Sequence, residues 1–158
     1  VLLEGTDFRW TGKVDAEEIL SVAADRDPSL LGPNTIRAML GEGDARRLAQ
    51  MMSGANVLFP AFYKLLAHPM WSVRLGAMAA FEHLVEEDPK LAAAAAEKLW
   101  ELYETATDDG VAGDALYLLG QTGRKDFAQR VRRAAESAQS PDVREAAADA
   151  ADQLEAAG

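Results

Sequence analysis

The chain has 158 residues, 49% of them hydrophobic and 27% charged, which supplies material for a core and excludes an intrinsically disordered chain. It has no cysteine and two histidines, so disulfides, thiol nucleophiles, cysteine-rich zinc sites and a multi-histidine metal centre are all excluded within it. Its net charge of −10 argues against a nucleic-acid surface, and its longest apolar run, Leu91 to Ala96, is too short to span a membrane.

The first 27 residues differ from the rest. Val1 to Glu4 is a short apolar run, Gly5-Thr6-Asp7 signals a turn, and Phe8 to Thr11 alternates apolar with polar. That pattern predicts a β-hairpin. After Gly12-Lys13, Asp15 and Glu18 have the spacing of a capping box, and Val14 and Ile19 that of a hydrophobic staple. A helix then carries Ile19, Leu20 and Ala23 on one face until Asp27-Pro28 ends it. Two strands are marginal by themselves, so this unit must be covered by something else. Val1-Leu2-Leu3-Glu4-Gly5, Trp10-Thr11-Gly12 and Asp15 to Leu20 together resemble the closing ββα unit of thioredoxin-like domains. In that family a cis-proline precedes the first strand and a Cys-x-x-Cys lies further upstream, and neither motif is in this chain. The resemblance implies a remnant of a domain whose dithiol site lies before Val1, which is not a methionine.

From residue 28 to residue 158 no segment alternates as a strand does, and a second, helical domain is expected. Ile36, Met39 and Leu40 form one stripe, over a helix at 33–40. Asp44 is placed to cap a helix at 44–53 bearing Leu48, Met51 and Met52. Asn56 is placed to cap another, apolar nearly all round through Val57, Leu58, Phe59, Phe62, Leu65 and Leu66, with Pro60 in its first turn. His68-Pro69 ends that helix, with His68 expected to cap its carbonyls. Further helices are expected from Leu91 to Tyr103, from Phe127 to Ala138 and over the alanine-rich Asp149 to Gly158.

A pattern recurs through this region. Val73-Arg74-Leu75-Gly76-Ala77, Val111-Ala112-Gly113-Asp114-Ala115 and Val143-Arg144-Glu145-Ala146-Ala147 each open a helix, at valine-to-valine spacings of 38 and 32 residues. Each valine is followed four residues later by alanine and eight residues later by Phe81, Leu119 or Ala151. Val73-Arg74-x-x-Ala77 and Val143-Arg144-x-x-Ala147 match the opening of the second helix in HEAT repeats, and Ala112 departs from it in the middle. The chain from about residue 56 to 158 thus resembles the HEAT family. That resemblance implies a mainly α fold, a short right-handed α-solenoid of helix pairs, with the β-hairpin and helix appended at the N-terminus.

Charge is segregated. Residues 82–114 carry ten acids against Lys90 and Lys98, whereas residues 124–133 carry five bases against Asp126. Arg124, Arg130 and Arg133 could hold a carboxylate or phosphate, and pairing of copies through opposite-charge repeat faces is a further expectation. Glu97 and Glu101 repel at i,i+4, a cost that a partner's lysine would relieve. Trp71, Trp100, Tyr103 and Tyr117 lie on successive helices and could line a groove that grips a peptide. His83 and Glu87 share a helix face but make only two of the ligands a metal needs. The candidate protein-binding residues are therefore Trp71, Trp100, Tyr103, Glu97, Glu101, Arg130 and Arg133. No catalytic, cofactor or metal set emerges. The expectation is a non-catalytic, cytoplasmic interaction scaffold that binds protein, and neither nucleic acid nor membrane. The alternative is the substrate-positioning end of a larger thioredoxin-like redox protein.

Overall fold

The computed structural model describes residues 31–157, of which 80% are helical and none is in a strand. The hairpin and helix expected over residues 1–27 lie outside the described residues. Among the described residues nine α-helices follow in order: α1 (Pro33–Gly41), α2 (Ala45–Ala55), α3 (Pro60–Leu66), α4 (Trp71–Glu87), α5 (Pro89–Ala94), α6 (Ala96–Thr105), α7 (Asp109–Gln121), α8 (Ala128–Ser137) and α9 (Pro141–Ala156). A 3-10 turn, Lys125–Phe127, precedes α8.

The helix starts use proline and acidic or hydroxyl caps. Pro33, Pro60, Pro89 and Pro141 each stand at the first helical position, where the missing amide costs no bond. The Asp108 carboxylate accepts from the Gly110 and Val111 amides at 2.6 and 3.2 Å and caps α7. Asp88 does the same for the Leu91 amide while also accepting from the Ser53 hydroxyl at 2.6 Å, which ties α2 to the start of α5. Asp44 precedes α2, but its side chain accepts no bond from that helix.

Asn56 does not cap α3. It closes α2 in the left-handed conformation, at φ 56°, which asparagine tolerates better than most residues. Val57 to Phe59 then run as a connection, and α3 begins only at Pro60, so the helix is shorter than its apolar run. Phe59, Phe62, Leu65 and Leu66 are buried, whereas Val57 is 40% exposed. His68 also acts differently from expectation: its Nδ1 accepts the Met70 amide at 3.0 Å, on the side of the helix that follows.

The apolar stretch from Leu91 to Tyr103 is two helices, not one. The chain turns at Ala95, whose amide bonds Ala92 three residues back. The break lets α5 lie against α4 and α6 lie against α7. The C-terminal stretch goes the other way. Asp149 to Ala156 is the second half of α9, continuous from Pro141.

Packing follows the recurrent positions. Ala77, Ala115 and Ala147 are buried, and Phe81, Leu119 and Ala151 are wholly so. Val111 and Val143 are buried beside them and Val73 half-buried. Helix α2 packs on α4, α6 on α7 and α8 on α9; α4 meets α7, and α7 meets α9, side by side. The α7–α9 approach is close: a Cβ built on Gly120 would stand 3.0 Å from the Ala150 Cα. Arg132 braces the last pair by bonding Asp152 at 2.6 Å and Glu155 at 2.7 Å.

The two signature arginines share one geometry. Nη1 of Arg74 donates to the carbonyls of His68 and Pro69, at 2.8 and 3.1 Å. Nη1 of Arg144 donates to Ala138 and Gln139, at 2.8 and 2.9 Å. Each arginine thereby fastens its helix to the turn six and five residues upstream. Arg74 does more: only 4% exposed, it also pairs through Nε with Asp114 of α7 at 2.8 Å.

Candidate functional site

Two surfaces gather the side chains of interest. The first lies on α6 and α8. Trp100 and Tyr103, one turn apart on α6, have ring centroids 5.0 Å apart. Arg130 of α8 lies 4.4 Å above the Phe127 ring and 6.0 Å from that of Trp100, a cation–π arrangement. With Arg133, Ala134 and Ser137 they line a groove of about 270 Å³. Burial, with the nearby Glu104 charge, raises the Tyr103 phenol above its ordinary value.

This surface brings together four of the seven residues singled out in the sequence. The other three lie apart from the groove. Glu97 and Glu101 are exposed on α6, and Glu101 is relieved by Lys98 at 3.2 Å rather than waiting for a partner. Arg124 is not open to an anion either, since it pairs with Asp126 at 2.8 Å and donates to the Ala93 carbonyl at 3.1 Å. The Arg124 guanidinium holds the Asp126 carboxyl below its usual range.

Trp71 belongs to the second surface, formed by α4, α7 and α9. It is 62% exposed, with Leu75 one turn on at 47% and Tyr117 of α7 at 46%. Trp71, Leu75 and Glu82 fall at spacings of four and seven, one face of α4. The Tyr117 hydroxyl donates to Glu82 Oε2 at 2.7 Å and Gln121 donates to the same oxygen at 3.3 Å, which joins the face of α4 to that of α7. The bond to Glu82 is the main cause of a raised Tyr117 pKa, with burial second.

Between α7 and α9 this surface deepens into a groove of about 480 Å³. Gly113 and Ala146 lie along it, among Asp109, Asp114, Asp142 and Asp149, and no lysine or arginine lines it. Sequence reasoning missed Leu75 and Glu82, although their register with Trp71 on α4 was the signal available. Glu87, weighed as a metal ligand with His83, accepts from Arg46 at 2.8 Å. Among the described residues no three His, Cys, Asp or Glu side chains are grouped to hold a metal, and no helix is long and apolar enough to cross a membrane.

The chain matches no known family model, no curated protein and no solved structure.

Proposed function

We propose that this chain is a non-catalytic protein-binding scaffold, a short right-handed solenoid of HEAT-like helix pairs whose second helices, α4, α7 and α9, present the binding face. The side-by-side packing of those helices supports the solenoid reading, as does the shared clamp of Arg74 and Arg144. The observation that carries the functional reading is the grouping of Trp71, Leu75 and Tyr117. Large apolar side chains left nearly half exposed or more on one face, rimmed by carboxylates, have the make-up of an interface rather than of a solvated helix surface. Fold resemblance alone does not choose the partner.

The test places a photo-crosslinking amino acid at Leu75, at Tyr117 and, as a control, at exposed Gln129 on α8. The expected result is one protein partner captured from both inner positions and not from Gln129. That partner, purified, should then bind the wild-type chain and lose affinity for Leu75→Glu. Capture from Gln129 alone, or equal binding by Leu75→Glu, would overturn the reading. Native mass measurement at the same concentration decides whether the partner is a second copy of the chain.

A further inference from the structure

The middle helix of the three lacks what the other two carry. Arg74 fills the joint between α4 and α7: it bonds two carbonyls of its own turn and the Asp114 carboxylate of the next helix. Gly110 makes room for it, because a Cβ there would stand 2.8 Å from Arg74 Nη2. One pair further on, at the joint between α7 and α9, each participant is changed. Counting from Val73, Val111 and Val143 in turn, Ala112 stands where Arg74 stood and Ala146 where Asp114 stood. Asp142 takes the place of Gly110, the position that abuts the guanidinium.

The outcome is open space walled by carboxylates. A groove of about 390 Å³ lies between the two turns, lined by Ala112 and by Glu104 and Asp109. Asp109 also lines the larger α7–α9 groove, in which Asp142 and Ala146 lie, so the two grooves adjoin. No lysine or arginine lines either groove, and among the described residues Glu104, Asp109 and Asp142 have no ion-pair partner. Carboxylates around two adjoining grooves make the local potential negative, which attracts a cation from outside.

We propose that this joint is a receptor for an arginine on a basic segment of a partner protein, which takes the place Arg74 occupies one pair earlier. The inference rests on the scaffold reading and names the chemistry of its partner. The methylene stem lies over Ala112 and Ala146, and the planar guanidinium reaches Asp142 and Asp109. Arginine suits the site better than lysine because its fork can meet two carboxylates at once. The adjoining Tyr117 and Leu75 then receive the apolar neighbours of that arginine.

The probe is a fluorescein-labelled peptide of alternating arginine and glycine, compared with the same peptide carrying citrulline, and titrated with the full chain by fluorescence anisotropy. The arginine peptide should bind and the citrulline peptide should not. Asp142→Asn should weaken binding about fivefold or more, and Ala112→Arg, which supplies the guanidinium from within, should weaken it at least as much. Gln129→Glu, at an exposed position on α8, should leave it unweakened. Equal binding of the citrulline peptide, no binding of the arginine peptide, or full affinity in Asp142→Asn would overturn the proposal. Circular dichroism checks that Ala112→Arg folds; if it does not, Asp142→Asn and Asp109→Asn decide. The crosslinks from Leu75 and Tyr117 do not depend on arginine, so a partner captured there without a basic segment would sink this inference and leave the scaffold reading standing.

Discussion

Arg74 combines burial with three polar partners. Its guanidinium is buried, and its partners are two carbonyls and one carboxylate. Removing it leaves those acceptors without a donor in a place water reaches poorly. Arg74→Ala should therefore cost about 3 kcal/mol in urea denaturation. Arg144→Ala loses the same two carbonyl bonds but no ion pair to a following helix, and should cost about 1–2 kcal/mol. Equal losses would show that the carboxylate of Asp114 contributes nothing at the first joint. Tyr63 offers a different reading of burial, since it is pushed up to about 12. The neutral phenol is favoured in the folded state, so that contribution is intact below the free tyrosine value of about 10 and is lost as pH rises through about 12. Alkaline titration of phenolate absorbance should show Tyr63 ionising last, and Tyr63→Phe should delete that final step.

At the level of elements, the caps and the close approaches decide what each helix can tolerate. Asp108→Ala leaves the Gly110 and Val111 amides uncapped and should cost about 1 kcal/mol. Gly120→Ala should cost about 1–3 kcal/mol, because the added methyl meets the Ala150 Cα at 3.0 Å as well as the Gln153 Oε1 at 3.0 Å, and the backbone cannot swing aside as the glutamine can. A neutral Gly120→Ala in thermal melting would mean that α7 and α9 shift apart freely. These elements were largely legible before their geometry was known. The valine and alanine spacing located α4, α7 and α9, since core positions four and eight apart are visible in any helix. The ends were less legible, for reasons that lie outside the local sequence. Asn56 has equal claims to start a helix or to end one, and only the tertiary position of Phe59 and Phe62 selects the second. The break at Ala95 has no glycine or proline to announce it; it arises because the flanking turns pack on different neighbours, α4 and α7.

On the scale of the whole molecule, side chains far apart in sequence were harder to combine. Trp100, Tyr103, Arg130 and Arg133 were singled out separately and do meet, because α6 and α8 bring their faces together. Trp71 was assigned to the same set, yet it faces the other way with Leu75 and Tyr117, and no sequence pattern states which faces of different helices become neighbours. The acidic stretch at 82–114 divides similarly: Glu82 and Asp109 join the surface of α4, α7 and α9, while Glu97 and Glu101 lie on α6.

The two joints of the surface formed by α4, α7 and α9 are built from unlike materials. Helices α7 and α9 share the more extensive contact and approach closely beyond their groove, Gly120 against Ala150. Helices α4 and α7 touch over a shorter stretch, where the polar clamp of Arg74 on Asp114 supplies the connection. Dispersion contacts fall away steeply with separation, whereas an ion pair weakens gradually. Under mechanical load the α7–α9 joint is therefore stiff and brittle, and the α4–α7 joint is compliant. Pulled from its ends, the molecule should stretch first between α4 and α7, and Arg74→Ala should lower the force at which that extension begins.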